Sequence, residues 1–376
     1  MAQYKTLVDK VSIPPNMKTK QKDYESQGTL AIVDQGKKLI GGYTNNAEMA
    51  LQCKLPVIVF GDHTCAVKFV NFPFGAGADG IKVLSPKSGI LPKYLFYGTQ
   101  YLTLRFPDKG YARHYQHIEK MDLPVSSIET QQNIVSSIEE LFSELDKGVE
   151  TLQTIKEQLA VYRQAVLKEA LNGIKGQPYT VKDVCKEIKV GIVIKPSQYY
   201  TDEQVGIKAF RSANVREFHV EDKNWVYLST AGHQANARSI VHTGDILIVR
   251  SGYPGTACVV PEQFNGCNAI DILIAVPNQD LVLPEFLCAY TNSPLGKKFV
   301  NEKKRGVGQK HFNVSGYSKM LISVPSLDKQ EKIVKKIASR LSVCDSIEQT
   351  INTTLAQAEA MRQSILKKAF EGELCK

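Results

Sequence analysis

Tyr162-Arg163-Gln164-Ala165-Val166-Leu167-Lys168-Glu169-Ala170-Leu171-Asn172-Gly173 returns 199 residues later as Met361-Arg362-Gln363-Ser364-Ile365-Leu366-Lys367-Lys368-Ala369-Phe370-Glu371-Gly372 (361 − 162 = 199). The same offset relates Ile128-Glu129-Thr130-Gln131-Gln132-Asn133-Ile134-Val135 to Leu327-Asp328-Lys329-Gln330-Glu331-Lys332-Ile333-Val334. One register held between two separated matches means two copies of one element of equal length. Apolar residues step along the first copy in threes and fours: Ile134, Ile138, Leu141, Leu145, Val149, Leu152, Ile155, Leu159, Tyr162 and Val166. The second copy shows Ile333, Ile337, Leu341, Cys344, Ile347, Ile351, Leu355, Ala358, Met361, Ile365 and Ala369. That spacing predicts a long helix with one apolar stripe. No proline interrupts either stretch. Ser126-x-x-Glu129 reads as a capping box. Gly173 and Gly372 stand where a left-handed residue would end each helix. Forty-odd residues of helix would span about 60 Å. A lone stripe would stay in water, whereas two in one chain can cover each other. The repeat and the intervening domain favour an antiparallel pair within the chain over a parallel coiled coil between chains.

The stretches outside the helices also look duplicated. Leu55-Pro56-Val57-Ile58-Val59-Phe60 and Asp245-Ile246-Leu247-Ile248-Val249-Arg250 each read as a buried strand. A turn follows each, Gly61-Asp62-His63-Thr64 and Ser251-Gly252-Tyr253-Pro254-Gly255-Thr256, and then a return strand at 66–70 or 257–260. Further strands are predicted at 81–84 and 270–276. Leu91-Pro92-Lys93-Tyr94-Leu95-Phe96 matches Leu283-Pro284-Glu285-Phe286-Leu287-Cys288, with proline opening a short helix. The predicted class is α+β: two α/β domains separated by two long antiparallel coiled-coil helices, with a pseudo-twofold internal repeat. The expected order is a domain at 1–125, a helix at 126–173, a domain at 174–325 and a helix at 326–376.

Charge divides along the same lines. Residues 1–125 and 174–325 hold 34 Lys and Arg against 23 Asp and Glu, a net +11. The two helical stretches hold 13 against 15, a net −2, which together give the chain its +9. Positive charge concentrated on the globular parts suits a polyanionic partner. Cys53, Cys65, Cys185, Cys258, Cys267, Cys288, Cys344 and Cys375 include no Cys-x-x-Cys pair, so they read as fillers or thiols in a reducing compartment, and no metal site is expected. No apolar run is long enough to cross a membrane, and the first residues lack the layout of a signal peptide. A cytoplasmic location is expected.

Enzyme signatures are missing. Gly75-Ala76-Gly77-Ala78-Asp79-Gly80 fits G-x-G-x-x-G, but a dinucleotide site needs a helix N-terminus after it, and the apolar 81–84 segment continues as a strand. There is no Walker phosphate loop, no G-x-S-x-G elbow and no Asn-Pro-Pro-[Tyr/Phe] tetrapeptide of amino-methyltransferases. His63, His114, His117, His219, His233, His242 and His311 show no metal spacing. No catalytic residue and no cofactor is expected.

Leu123-Pro124-Val125 with Ile128, Gln131-Gln132, Ile134-Val135 and Glu139-Glu140-Leu141-Phe142-Ser143-Glu144-Leu145-Asp146 resembles the central conserved region of the specificity subunits of type I restriction–modification enzymes. So does Tyr162-Arg163-Gln164-Ala165-Val166-Leu167-Lys168. Val324-Pro325-Ser326-Leu327-Asp328-Lys329-Gln330 and the 361–372 stretch resemble their distal conserved region, and Gly306-Val307-Gly308-Gln309-Lys310-His311-Phe312-Asn313 resembles a stretch that closes a recognition domain. The resemblance covers essentially the whole chain, specific in the helices and weak in the domains. It implies a non-catalytic reader of double-stranded DNA. Each domain would read half of a split target, and the helices would set the unread gap. The helices would also dock two methyltransferase subunits, with restriction/translocase subunits further out. The second helix departs from the pattern at Ser339-Arg340-Leu341-Ser342-Val343-Cys344, where the first is acidic, so contact with the two methyltransferase subunits need not be equal. Two other readings remain open: a coiled-coil scaffold that binds proteins or sugars, and an enzyme built on the 75–80 segment.

For DNA, Lys and Arg supply phosphate contacts, and Arg, Asn and Gln read base edges. Polar loop residues around the predicted strands are the candidates. In the first domain these are Gln35, Lys37, Lys38, Tyr43, Asn45, His63, Arg113 and His114; in the second they are Arg211, Asn214, Arg216, Arg250, Tyr253, Lys304, Arg305, Gln309 and Lys310.

Overall fold

The computed structural model describes residues 1–77, 80–105, 112–305 and 312–374. It divides into two units: residues 1–153 with 351–376, and residues 154–350.

The first unit runs β1 (Ala2–Gln3), β2 (Val8–Val11), β3 (Lys18–Thr19), β4 (Leu30–Val33), β5 (Gly42–Thr44), β6 (Val57–Gly61), β7 (Val67–Val70), β8 (Phe74–Gly77), β9 (Ile81–Pro86), α1 (Pro92–Thr103), α2 (Tyr115–Ile118), β10 (Asp122–Leu123) and then α3 (Ile128–Leu171). Two four-stranded sheets form, in the orders β2-β9-β6-β7 and β3-β8-β4-β5. The predicted buried strand sits at the centre of the first sheet. Its side chains alternate, as the pleat requires. Val57 and Val59 join a core with Phe74 and Ala76 of the second sheet. Ile58 and Phe60 face α1, in a core that also holds Ile134 and Ile138 of α3. With both faces covered, every residue of Val57–Phe60 is fully buried.

The second unit repeats this plan with β11 (Gln177–Thr180), β12 (Cys185–Val190), β13 (Tyr200–Thr201), β14 (Ile207–Phe210), β15 (Val226–Leu228), α4 (Thr230–Ala235), β16 (Ile246–Val249), β17 (Ala257–Val259), β18 (Asn268–Ala269), β19 (Ile272–Pro277), α5 (Pro284–Asn292), α6 (Pro294–Arg305), α7 (Val314–Ser318), β20 (Leu321–Val324) and α8 (Leu327–Phe370). Its sheets are ordered β12-β19-β16-β17 and β13-β15-β14-β18. Ile246 and Ile248 pack toward α5, and Leu247 and Val249 toward the second sheet.

The long helices match the expected repeat, at 44 residues each. Gly173 (φ +69°) and Gly372 (φ +80°) hold the left-handed conformation expected past their ends. The start of α3 is corrected by one residue: Ser127, not Ser126, caps it, with its Oγ accepting from Thr130 N at 3.2 Å. Both helices pass through both units, the division falling between Gln153 and Thr154 in α3 and between Thr350 and Ile351 in α8. Within the second unit, Arg163 meets Asp345 at 2.7 Å and Glu169 meets Arg340 at 2.6 Å, so a later residue of α3 meets an earlier one of α8 and the pair is antiparallel. Hydrogen bonds from Arg340 and Lys336 hold the exposed Glu169 carboxyl down to about 2. Arg362 pairs with Asp146 in the first unit. The two arginine pairs are the same pair by the repeat offset (362 − 163 = 345 − 146 = 199). The apolar stripe is only partly covered, with Ile155, Tyr162, Ile347 and Met361 exposed.

One buried tie anchors each globular part to its long helix, and a second lies within the globular part. Gln131 of α3 accepts from Leu91 N and donates to Gly89 O and Ser126 O, at 2.9 Å each. Gln330 of α8 does the same, accepting from Leu283 N at 2.8 Å and donating to Leu281 O and Pro325 O at 2.9 Å. Both are fully buried. The second tie is a tyrosine on a buried threonine. Tyr4 Oη meets Thr99 Oγ1 at 2.6 Å, and Tyr317 Oη meets Thr291 Oγ1 at 2.8 Å. The tyrosines come from different places in the repeat. Tyr4 N donates to Met121 O as Val181 N donates to Met320 O, while Met121 N donates to Ile118 O as Met320 N donates to Tyr317 O. Tyr4 therefore stands where Val181 does, and Ile118 where Tyr317 does.

Candidate nucleic-acid interface

In the first unit, the ends of β4, β6 and β9 bring several loops together. Asp62, after β6, organises them. Its carbonyl accepts from His114 N at 2.8 Å, its carboxylate accepts from Tyr115 N at 2.9 Å, and its N–H donates to Gly80 O at 2.6 Å. His63 Nδ1 lies 3.0 Å from Ala112 O. Thr64 donates to Gln35 O. The 34–41 loop is held from beneath by Lys68, whose ammonium donates to Asp34 O at 2.7 Å and pairs with Asp34 Oδ1 at 3.3 Å. Burial pulls this ammonium below the usual lysine range, against the opposing pull of Asp34. Gly36 N donates to the same carboxylate. Gly80 holds a left-handed backbone (φ +67°) that favours glycine, and it packs closely against Gln35 and His63. This frame brings together Gln35, Lys37, Lys38, His63, Arg113 and His114. Lys37, Lys38 and Arg113 are exposed, above a framework of fixed backbone. Tyr43 lies in the edge strand β5 and Asn45 follows that strand's other end, where its amide is spent on Glu25 and Thr29.

The second unit offers a groove. Ser212, Arg216, Val249, Ser251, Tyr253 and Thr256 line a cavity of about 520 Å³ beside the turn after β16. Tyr253 stands 86% exposed at this groove. Arg216 lines it and donates from Nη1 to Val215 O at 3.1 Å. Arg211 donates from Nη2 to Asn224 O.

Three of the expected DNA-binding residues are engaged within the fold. Asn214 is fully buried: its Oδ1 accepts from Arg211 N, and its Nδ2 donates to Glu221 O and Lys223 O. His114 is buried as well. Arg250 donates from Nε to Phe312 O at 3.1 Å and from Nη1 to Asp271 at 2.6 Å, its side chain only 14% exposed. A paired contact to a guanine edge needs two adjacent donors, and here two are committed to the fold. The Arg250→Ala variant should therefore lose about 2 kcal/mol of stability, from a stranded carboxylate and carbonyl. Thermal unfolding reads this directly, and a change below a few tenths of that would return Arg250 to the DNA-facing set. Lys304 and Arg305 end α6, while Gln309 and Lys310 fall outside the described residues, as does most of the stretch that resembles a domain-closing segment. The 75–80 segment is β8 in its first part, and β9 follows it, so no helix N-terminus faces it among the described residues.

Sequence reading missed the hydroxyls of Ser212, Ser251 and Thr256, which line the groove. The glycines at 252 and 255, both with positive φ, mark the turn that carries two of them, and that was the available signal. Among the described residues no cluster of His, Cys, Asp or Glu could hold a metal ion, and no helix is long and apolar enough to cross a membrane.

Residues 174–357 match the family model for the type I restriction modification DNA specificity domain. That stretch is similar to the DNA specificity domain of type I restriction–modification enzymes. The matched segment begins just after α3 and extends into α8, so it takes in the groove, the Gln330 tie and part of the helix pair. The EcoBI specificity subunit of Escherichia coli is 26% identical over 278 residues, 67% of this chain and 58% of that one. The chain thus spans little more than half the length of that relative. The EcoR124I/EcoR124II specificity subunit of Escherichia coli is 24% identical over 375 residues, 95% of this chain and 89% of that one. A solved chain described under complex assembly and conformational transition of the type I restriction–modification system shares the fold, with a TM-score of 0.68 at 16% identity over 99% of this chain and 97% of the other.

Proposed function

We propose that this chain is the specificity subunit of a type I restriction–modification enzyme, a DNA reader with no catalysis of its own. The observation that carries this reading is the repetition of the architecture. Each globular part joins the same helix pair through an equivalent glutamine, Gln131 or Gln330, and each ends in polar loops over a rigid sheet. Two such parts suit a target in two pieces, and two continuous helices suit a fixed gap between them. Lys37, Lys38 and Arg113 are the phosphate and base contacts proposed for the first half, with Gln35, Tyr43, Asn45 and His63 beside them. Arg216, Tyr253 and Arg211 form the proposed reading set of the second half, with Lys304, Arg305 and Lys310 adding positive charge and Gln309 an amide from the end of α6 and beyond. Methylation and cleavage come from partner chains, two methyltransferase subunits and then restriction/translocase subunits, in the cytoplasm. No cofactor is assigned to this chain.

The test is methylation of a random-sequence DNA library by this chain mixed with the methyltransferase subunit of its own system, read by single-molecule sequencing. A split motif with an unread gap, lost when the chain is left out, supports the reading. Methylation that needs no such chain, or none with an active partner, replaces it with a scaffold that does not read DNA.

A further inference from the structure

The two halves keep one frame but fill it differently where the short helix after the central sheet meets the long helix. In the first half, Phe69, Phe96, Tyr97 and Phe142 form a continuous chain of rings, with successive centroids 5.8, 5.0 and 5.8 Å apart. The Arg362 guanidinium lies 4.7 Å over Phe142, and Lys93 pairs with Glu139 at the edge. The glutamine ties fix the correspondence with the second half, because Gln131 binds Leu91 N as Gln330 binds Leu283 N. In that register, Cys288 stands at Phe96, Ala289 at Tyr97 and Leu341 at Phe142. Rings have given way to small or aliphatic side chains, and the space is open. It is a cavity of about 300 Å³, walled by Val259, Cys288, Ala289, Ile337 and Leu341, with the Phe218 ring also in its lining.

The charges at its mouth have changed too. Glu285 stands at Lys93 and Ala338 at Glu139, so an ion pair has become a single carboxylate. Glu285 is exposed at the mouth and makes no hydrogen bond or ion pair among the described residues. Asp345, on the same rim, is held by Arg163. An apolar cavity of roughly half this volume already accepts a benzene ring. An apolar pocket with an unpaired anion on its lip suits an aromatic side chain flanked by a base, the same chemistry that the first half supplies from its own chain as Phe142 under Arg362.

We propose that this cavity seats an aromatic side chain, flanked by a lysine or arginine, presented by a methyltransferase subunit. This rests on the functional reading above. The first half fills the same space itself and offers no seat, so the two docking sites on the pseudo-symmetric chain are not equivalent.

The test measures binding of the purified methyltransferase subunit to the full chain by calorimetry. Ala289→Tyr with Leu341→Phe rebuilds the first-half plug and should weaken one of the two binding events at least tenfold while leaving the other unchanged. Glu285→Lys, at an exposed position, should weaken the same event several-fold and reduce its salt dependence. Parent-like binding by Glu285→Lys and by the folded plugged variant, in an assembly that still methylates its split site, overturns the cavity proposal alone. A parent chain that binds no methyltransferase subunit overturns the functional reading with it.

Discussion

Replacing Gln330 with leucine is expected to cost the second unit about 3–5 kcal/mol. The side chain is fully buried, and its amide serves three backbone groups: Leu283 N, Leu281 O and Pro325 O. Leucine fills nearly the same volume, so packing changes little. What changes is that one N–H and two carbonyls lose their partner away from water. Each stranded group costs about 1–3 kcal/mol, far more than the net gain from a typical hydrogen bond. The loss should appear as a lower denaturant midpoint for the transition that unfolds β16 and its neighbours. Gln131→Leu should cost the first unit a similar amount, since its three bonds are the same. A loss under 1 kcal/mol in both would mean that the glutamines follow the helix junction rather than hold it.

Seven residues inserted between Gln153 and Thr154, in α3 alone, should reduce binding to the parent DNA target on the order of 10³-fold, to the level of non-specific DNA. Both units would remain folded, because their cores draw on the helix ends on either side of that point. One added heptad lengthens a helix by about 10 Å, the rise of about three base pairs. With only one helix lengthened, the pairs Arg163–Asp345 and Arg362–Asp146 cannot both form in register. The same heptad placed also between Thr350 and Ile351 should restore tight binding, to a site whose gap is about three base pairs longer. Selection of preferred sites from a random library reads both outcomes. Unchanged affinity and spacing after the single insertion would remove the helices from any measuring role.

Regular structure was legible where one physical rule acts alone. Val57–Phe60 and Ile246–Val249 are apolar at every position, and only a strand covered on both faces buries them all. The long helices were legible because their stripe repeats and no proline interrupts it. Their ends were legible to within a residue, since Ser126 and Ser127 are chemically alike and only the backbone decides which one caps. The candidate interface was harder to see. Arg250 ends a buried strand beside a turn, which from sequence looks like a reading position. The partner that claims it, Asp271, lies 21 residues on and reaches it through a left-handed backbone (φ +51°) that no local pattern announces. Asn214 is likewise a loop residue by type, yet the fold of the 211–224 segment turns it inward. Lys37 and Lys38 are exposed on a loop pinned by Lys68 and Asp34, as two long cations beside a turn suggest from sequence.

The tyrosine ties limit how such a chain can exchange parts with a relative. Tyr4 with Ile118 and Val181 with Tyr317 place one ring and one aliphatic chain in the same buried space, but from opposite segments. A hybrid that joined the early segment of one half to the late segment of the other would inherit either two rings or none at that threonine: overcrowding in one case, a void and an unbonded hydroxyl in the other. A hybrid spliced inside α3 keeps each matched set intact. An exchange between the two halves is therefore expected to be tolerated best at joins within the long helices.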